Sequence, residues 1–345
     1  MEVIKAIVYG VGAMGRILPK LLLEKGVNIV GAIDVNPEIV GKDLGEVAGL
    51  DYHLNVLINN NPEEVLSKHK ADIALVAIFS EMEKMYPYLK MCVESGLNVI
   101  TTCEEAAYPW TISPELAAKL DKLARDNGVT VTGSGFQDVY EINLISVLSG
   151  ASHKIESITG REKFNIEEYG PVVLEYYNIG VTKEEYEDWI MEQKVDQAPF
   201  SDRMNLESLI ADLGLTVKKV RQTIKPIIAN EDTEAESIGK LIKRGEVIGR
   251  TDIVEIETEQ GIKFQGEMIG KVYKPGEGDI NEWYIKGVPA LHLKNDNVPS
   301  RIATCTQMVN RIPDVINSEP GFITAEKLPK PKYKSYPLHL HLRHS

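Results

Sequence analysis

Apolar and polar residues form short blocks through the first 135 residues, and these blocks predict strands and helices in turn. Residues 3–9 (VIKAIVY) and 28–33 (NIVGAI) are β-rich runs, and residues 13–25 between them have helical spacing. The alternation continues with predicted strands at 72–79, 98–102 and 129–132 and predicted helices at 81–95 and 114–127. Strict alternation of strands and helices predicts an α/β fold, in which a doubly wound parallel sheet has helices on both faces.

The pattern changes after Gly135, where longer segments alternate between polar and apolar residues. A helix is predicted at 139–148. The other predicted elements are strands at 152–159, 253–258, 263–272 and 283–285 and helices at 183–192 and 205–213. This region therefore predicts a second, α+β domain built on a mostly antiparallel open sheet.

The carboxyl-terminal residues predict a return to the first domain. Residues 300–317 have helical spacing, with an apolar stripe suited to packing on the first domain, and Pro313 predicts a kink. Residues 328–345 are rich in Pro, Lys and His and predict a surface tail. The expected domains are residues 1–140, completed by a helix at about 300–325, and residues 141–299.

Composition and charge narrow the class of protein. The 345 residues are 43% hydrophobic and 26% charged, which is typical of globular domains rather than of disordered chains. The formal charge of −13, from 38 basic and 51 acidic residues, repels phosphate backbones and anionic lipid, so neither nucleic acid nor a membrane is expected as a partner. No apolar run approaches the roughly 20 residues of a membrane span, and a cytoplasmic protein is expected.

Cysteine and histidine residues give no metal signature. Cys92, Cys103 and Cys305 form no CxxC pair, and the body of the chain has no HxH or HxxxH pattern, so neither a disulfide framework nor a metal site is expected. The histidines of the predicted tail are expected to be solvated: His339, His341 and His344.

A glycine fingerprint follows the first predicted strand. Gly10, Gly12 and Gly15 (YGVGAMG) form a GxGxxG motif in the strand-to-helix context of dinucleotide-binding folds, where a helix amino terminus and the loop amides meet a pyrophosphate. Asp34 ends the second strand about 20 residues later, where a carboxylate accepts hydrogen bonds from ribose hydroxyls and repels a 2′-phosphate. NAD is therefore the expected cofactor, although a single Asp leaves NADP open, and Asp34 is also a common turn former.

Polar residues also follow the later strands of the predicted parallel sheet, at the edge where such sheets meet ligands. Residues 77–80 are expected near the nicotinamide, although Ser80 is equally a helix cap. The next strand leads into Glu104 and Glu105 (TTCEE), two carboxylates that suit proton transfer beside a reactive carbon, yet acidic residues also favour a first helical turn. The expected cofactor contacts are Gly10, Gly12, Ala13, Met14, Gly15, Arg16, Asp34, Ala77, Phe79, Ser80, Thr101 and Thr102.

A glycine-rich loop, GSG, ends the last parallel strand at the entry to the second domain, and it is followed by Phe136, Gln137 and Asp138. Substrate clefts commonly form at such junctions, which makes these three residues candidates for substrate binding. A plain hinge is the alternative.

Several of these segments resemble one family. GVGAMGR at residues 10–16, the run at 77–110 that contains TTCEEAAYPW, VTGSGFQDVY at 131–140 and MVNRIPDVINSEPGF at 308–322 are similar to the 2,4-diaminopentanoate dehydrogenase family. The resemblance spans most of the chain, and the TTCEEAAYPW and GSGFQD segments are more specific than the glycine motif. The family looks related to dihydrodipicolinate reductase in its first domain and to the native amine dehydrogenases.

The resemblance implies oxidative deamination of 2,4-diaminopentanoate at carbon 4, a step of ornithine fermentation that gives 2-amino-4-oxopentanoate, ammonia and reduced cofactor. In the related amine dehydrogenases a glutamate serves as acid and base, and the resemblance places it at the two glutamates of TTCEE. Glu104 is the preferred residue, and Glu105 is the alternative. A diamino acid needs a cation and acceptors from the second domain. The candidates there are Arg161, Asn165 and His292, although Arg161 is equally an exposed ion-pair residue and His292 a sheet residue.

Other functions share parts of this pattern. A dihydrodipicolinate reductase-like enzyme or another amine or imine oxidoreductase would use the same first domain, and a sensor that binds NAD without chemistry would leave Glu104 silent. A sugar or hydroxy-acid oxidoreductase generally needs a Lys or His base, and TTCEE contains neither. A homodimer is expected, because the family resemblance favours one and a second copy could cover the free face of the second domain's sheet.

Overall fold

A computed structural model of the protein describes residues 3–169, 174, 176–195, 198–335 and 337–343. The chain divides into two compact units: unit 1 comprises Met1–Asn143 and Arg301–Ser345, and unit 2 comprises Leu144–Ser300. The observed division therefore falls three residues after the one expected at 140/141. Unit 1 has a Rossmann-type fold and unit 2 is an α+β domain, as the pattern of the sequence predicted.

Unit 1 is built on a seven-stranded sheet in the order β15-β6-β5-β4-β1-β2-β3, and every neighbouring pair is parallel. Alternate residues of its strands enter two apolar cores, one on each face, so that Val8 packs in one and Ile7 in the other. This burial on both faces explains the continuous apolar runs. The strands are β1 Lys5–Tyr9, β2 Asn28–Ile33, β3 Ile58–Asn59, β4 Ile73–Val76, β5 Asn98–Thr101, β6 Thr130–Gly133 and β15 Gly321–Phe322.

The helices of unit 1 cover both faces of this sheet. They are α1 Leu18–Glu24, α2 Leu44–Val47, α3 Pro62–Lys68, α4 Met82–Glu94, α5 Pro114–Asp126 and the long helix α9, Ser300–Ile316, whose residues from Arg301 onward belong to this unit. Helix α1 begins five residues later than predicted, because Pro19 has no N–H to donate to Gly15 and the chain before it forms turns instead. Cys305, Met308 and Val309 of α9 lie in the same core as β1, which confirms the predicted apolar stripe.

Unit 2 contains a six-stranded sheet in the order β14-β13-β7-β12-β11-β8, in which the β7/β12 pair is parallel and the other neighbours are antiparallel. A small hairpin, β9 with β10, lies apart from it. The strands are β7 Lys154–Asn165, β8 Val217–Ile228, β9 Thr233–Ala235, β10 Lys240–Ile242, β11 Val247–Thr258, β12 Lys263–Lys271, β13 Ile280–Val288 and β14 Leu291–Asp296. The edge strand β8 was not predicted, because Lys, Arg and Pro residues that blunt an edge also interrupt the apolar pattern.

One face of the unit 2 sheet carries the apolar core, where Phe264 and Trp283 pack with Leu206 and Leu209 of a helix. The helices of the unit are α6 Leu144–Ser149, α7 Lys183–Gln193 and α8 Ser201–Asp212. The predicted helix at 139–148 divides into a π-helix, Asp138–Asn143, which belongs to unit 1, and α6.

The prediction of a surface tail is wrong for the described residues at the carboxyl terminus. Leu328 and Leu338 are buried in the core of unit 1, the Leu338 amide donates to the Lys25 carbonyl at 2.9 Å, and Lys334 forms an ion pair with Asp314 at 2.7 Å. The basic and proline-rich composition of this segment gave no indication that two of its leucines pack in the core. His339 and His341 are half-buried, and His344 lies outside the described residues.

Within the described part of the chain, no helix combines the length and the apolar character that a bilayer crossing requires.

Candidate active site

The glycine-rich loop directly follows β1, and two of its glycines are required by contact with neighbouring backbone. Gly10 has a φ of +89°, and a Cβ there would lie 2.3 Å from the Ala77 carbonyl oxygen. A Cβ at Gly15 would lie 1.9 Å from the Gly10 carbonyl oxygen. Gly12 differs from both, because no heavy atom of the described residues, its own and its two chain neighbours' apart, lies within 4 Å of its Cβ position. The middle of the loop therefore faces open space, and Gly12 and Ala13 are exposed there.

Asp34 follows β2 and holds the glycine-rich loop with one carboxylate oxygen. Its Oδ2 accepts a hydrogen bond from the Val11 amide at 2.6 Å, and its Oδ1 accepts from the Asn36 amide at 2.8 Å. The second bond is the turn interaction that the sequence left open as an alternative, and the first ties Asp34 to the candidate cofactor loop. Each oxygen keeps a lone pair that can accept from a hydroxyl group.

Two further predicted cofactor residues belong to the same loop. Arg16 is exposed and donates from Nε to the Val11 carbonyl at 3.3 Å. Met14 is half-buried and packs against the core of unit 1.

The carboxyl ends of β1, β4, β5 and β6 lie side by side. The Ala77 amide donates a hydrogen bond to the Tyr9 carbonyl at 2.8 Å. The Thr102 amide donates to the Val76 carbonyl at 3.1 Å, and the Ser134 amide donates to the Thr101 carbonyl at 2.9 Å. Thr101 is buried, and its hydroxyl accepts from the Cys103 amide at 3.1 Å. The residues predicted beside the nicotinamide thus share this edge of the sheet, with Thr102 and Ala77 half-buried and Phe79 and Ser80 exposed.

Glu105 has a structural role at this edge. Its Oε2 accepts a hydrogen bond from the Met82 amide at 2.8 Å and from the Ser113 hydroxyl at 3.5 Å. Helix α4 begins at Met82, and the preceding Glu81 makes no side-chain cap bond. Glu105 therefore caps α4 from a separate turn, and the negative charge suits the helix amino terminus.

Glu104 begins the short 3-10 helix Glu104–Ala107 after β5. The side chain is exposed, yet the surrounding protein is dense enough that desolvation is the largest cause of an elevated pKa. Repulsion by the Glu81 and Glu105 carboxylates acts in the same direction, the Ser80 hydroxyl opposes them by hydrogen bonding, and the pKa is raised to about 7. A carboxyl group with this pKa exchanges protons near neutral pH.

Cys103 precedes this turn, and its environment does not favour a thiolate. Its thiol is buried and donates to the Ser80 carbonyl, with Sγ 3.0 Å from the oxygen. Burial raises the thiol pKa to about 12, so the group stays protonated at neutral pH.

The GSG loop leads into a buried ion pair. Both oxygens of Asp138 accept from Arg311 of α9, at 2.6 Å from Nη2 and 2.7 Å from Nε, and the Ser134 hydroxyl and Gln307 amide also donate to this carboxylate. Burial alone would raise the pKa of Asp138, but the Arg311 charge and these hydrogen bonds lower it. The sequence offered Asp138 as a substrate contact; its oxygens instead have partners inside unit 1, and the sequence analysis assigned no role to the α9 residues that bind it.

The other two residues of this loop differ in exposure. Phe136 is buried, stacks on Tyr140 with ring centroids 4.6 Å apart, and donates its amide to the Thr304 hydroxyl at 3.2 Å. Gln137 is half-buried. Their predicted substrate contacts stay predictions.

The candidates in unit 2 lie on the polar face of its sheet. Arg161 is exposed and pairs with Glu267 at 3.2 Å. The His292 ring stacks on Tyr284, with centroids 4.2 Å apart, and its Nε2 lies 3.0 Å from a Glu282 oxygen. Asn165 ends β7, and its side-chain oxygen accepts from the Glu167 amide at 3.2 Å. These contacts satisfy the residues within the unit, and their predicted contacts with substrate stay predictions.

Comparison with known proteins gives matches to both halves of the chain. Residues 4–131 match the family described as dihydrodipicolinate reductase, N-terminus, and residues 141–336 match the family described as 2,4-diaminopentanoate dehydrogenase C-terminal domain. The chain is 31% identical to the 2,4-diaminopentanoate dehydrogenase of Acetoanaerobium sticklandii, over 96% of this chain and 95% of that protein.

Two solved structures extend the comparison. The amine dehydrogenase of Mycobacterium smegmatis is 45% identical, with a TM-score of 0.89 over 96% of this chain and 97% of that chain. A probable dehydrogenase of Thermotoga maritima is 15% identical, with a TM-score of 0.61 over 94% of this chain and 92% of that chain, which shows a shared fold.

Proposed function

Because the chain belongs to the 2,4-diaminopentanoate dehydrogenase family and is an oxidoreductase that acts on amines, we propose that it oxidatively deaminates 2,4-diaminopentanoate at carbon 4 with NAD. The products are 2-amino-4-oxopentanoate and ammonia. Such a reaction suits the fermentation of ornithine. The observation that carries the proposal is the position of Glu104 directly after β5, at the edge of the sheet where the cofactor loop begins, while the neighbouring Glu105 is engaged by the Met82 amide.

The residues at this edge fit a dinucleotide. Gly12 and Ala13 leave room for a diphosphate against the loop backbone, and Asp34 stands where ribose hydroxyls are recognised. The carboxylate disfavours a 2′-phosphate, which supports NAD over NADP. When bound, the nicotinamide supplies the acceptor for the hydride.

Glu104 moves the protons of the reaction. Its carboxylate accepts a proton from the substrate ammonium, and the amine lone pair then stabilises the carbon as its C–H bond breaks. The C–N single bond becomes an iminium double bond, water adds to the carbon, and ammonia leaves as the carbonyl forms. Glu104 first releases the ammonium proton to bulk water, so that its carboxylate can accept a proton from the attacking water and return that proton to the nitrogen. The remaining hydroxyl proton passes to the departing ammonia, which leaves as ammonium when the carbonyl forms. Glu105 stays outside these steps, because its Oε2 caps α4.

A second candidate is the oxidation of an amine that has no carboxylate. The higher identity to an amine dehydrogenase, 45% against 31%, favours it. The two candidates share Glu104 and the cofactor loop and differ in the need for a cation that binds the substrate carboxylate.

The test is the absorbance of the reduced cofactor with the purified protein, with NAD or NADP in turn. The substrates are 2,4-diaminopentanoate, simple alkyl amines, lysine, ornithine and hydroxy acids. We expect signal with the diamino acid and NAD; signal with alkyl amines alone would favour the second candidate, and signal with hydroxy acids alone would refute both.

The variant Glu104→Gln should remove turnover in this assay while NADH still binds, because the amide keeps the shape of the side chain and loses the base. Retained turnover would refute the role of Glu104.

We also propose a homodimer formed through the polar face of the unit 2 sheet. An isologous pair would cover this face, and its exposed Tyr284 supplies aromatic contact area. Light scattering at several concentrations tests this proposal, and a monomer throughout would refute it.

A further inference from the structure

The first turn of α9 lies against the glycine-rich loop, although nearly the whole chain separates them in sequence. The Arg301 guanidinium donates from Nη2 to the Ala13 carbonyl at 3.1 Å. One turn further along α9, the Cys305 thiol lies 3.4 Å from the Met14 carbonyl oxygen. Since Ala13 is exposed and Gly12 faces open space, α9 brings a positive charge to the open part of the loop.

Positive charge at this position would favour the binding of an anionic diphosphate. The chain has a formal charge of −13, which opposes an anionic ligand unless cations stand close to it. Arg16 and Arg301 are bonded to the carbonyls of Val11 and Ala13, so two guanidinium groups flank Gly12. A guanidinium is always charged at physiological pH, so both side chains bring fixed positive charge to the open part of the loop.

The position of Arg301 is fixed by residues that follow it in α9. The Thr304 hydroxyl accepts from the Phe136 amide at 3.2 Å, and Cys305 is buried in the core of unit 1. The backbone that carries Arg301 is therefore anchored to the sheet, and the charge is held in place before a ligand arrives.

We propose that Arg301 is a cofactor-binding residue that pairs with the diphosphate of the dinucleotide. The inference rests on the proposed use of NAD or NADP and adds a residue from the far end of the chain to the site. Together, Arg16 and Arg301 would hold the diphosphate from both sides of Gly12.

The test measures binding without turnover, using the full-length protein. The variants are Arg301→Gln, which removes the charge, Arg301→Lys, which keeps it, and Lys119→Gln, a control that removes one exposed charge from another helix of unit 1. The dissociation constant of NADH is followed by its fluorescence. Displacement of NADH then gives the dissociation constants of two competing ligands: ADP-ribose, which carries the diphosphate, and adenosine, which lacks it.

We expect Arg301→Gln to raise the dissociation constants of NADH and ADP-ribose by about tenfold or more, as the loss of a hydrogen bond between charged groups predicts. The dissociation constant of adenosine should stay within about twofold of the wild-type value. Arg301→Lys should lie between wild type and Arg301→Gln, and Lys119→Gln should match wild type. Should Arg301→Gln fail to fold, Arg301→Lys alone decides, by a selective loss of ADP-ribose affinity over adenosine.

Unchanged NADH affinity in Arg301→Gln, or an equal loss of adenosine affinity, would overturn the inference while leaving the proposed function intact. A wild-type protein that binds neither NADH, NADPH nor ADP-ribose would overturn the proposed function itself. The two failures are therefore distinguishable.

Discussion

The buried pair of Asp138 and Arg311 decides between a structural role and a substrate-binding role for Asp138. We expect Asp138→Asn to destabilise the protein, because the amide keeps the size of the side chain but leaves the Arg311 charge without its closest counterion. Each of the two groups is 1% exposed, and the carboxylate receives two bonds from Arg311. Removing one partner of such a buried pair costs about 3–5 kcal/mol of unfolding free energy.

The estimate for this pair lies toward the lower end of that range. Asp314 lies 3.4 Å from the Arg311 Nη1 and retains part of the attraction after the substitution. The assay is chemical denaturation at pH 7 with intrinsic fluorescence. A matched control is Asp126→Asn, which breaks an ion pair with Lys122 whose side chains are 56% and 76% exposed, and which should change the unfolding free energy by at most about 1 kcal/mol.

The pH dependence of stability gives a second measure of the same pair. The pKa of Asp138 is lowered in the folded protein, so the unfolded chain binds more protons. The contribution of the pair is therefore fully present above the unfolded pKa of about 3.9 and is lost as the pH falls below it. Asp138→Asn should remove this dependence. An unfolding free energy within about 1 kcal/mol of wild type, together with a raised KM for the amine, would refute the structural role and support a substrate contact.

Two other predictions test the glycine-rich loop and the proposed role of Glu104 in proton transfer. Gly10→Ala should lower the unfolding free energy by more than about 1–2 kcal/mol, because the φ of +89° is strained for alanine and the new Cβ would meet the Ala77 carbonyl. Gly12→Ala should leave the unfolding free energy unchanged and weaken NADH binding. Equal unfolding free energies for the two variants would contradict this prediction. Glu81→Gln should move the acidic limb of kcat/KM for amine oxidation to lower pH, because it removes a carboxylate that raises the pKa of Glu104. Glu83→Gln, which removes a carboxylate from the first turn of α4, serves as the control. An unmoved limb in both variants would argue against Glu104 as the titrating base.

The sequence predicted the parts of the fold that depend on local pattern. Buried parallel strands such as β4, with the sequence IALV, have no polar position, and the glycine loop has backbone requirements that only glycine meets. Two segments whose composition is polar or basic were predicted wrongly, because their charged residues conceal the apolar pattern. The edge strand β8 is rich in Lys and Arg, and the carboxyl-terminal residues hold Leu338 in the core within a polar segment.

The candidate site was predictable only as far as its residues are neighbours along the chain. The TTCEE motif placed two carboxylates at the end of β5 but could not show which of them has a structural role. That difference depends on a hydrogen bond from the backbone amide of Met82, in another element, to Glu105. The same limit applies to Arg301 and Arg311, which reach the glycine loop and Asp138 over sequence separations of 288 and 173 residues.

These two contacts give α9 a role beyond covering the sheet. Arg301 at its beginning contacts the glycine-rich loop, Thr304 and Gln307 contact the GSGFQD segment, and Arg311 neutralises Asp138. A single helix thus contacts the loops that follow β1 and β6, at the edge of the sheet where Glu104 also lies. Since an error of about 1 Å in the placement of reacting groups costs a large part of the rate, a substitution that shifts α9 should lower turnover without touching substrate. Helix α9 is accordingly part of the framework of the candidate active site and not only of the core.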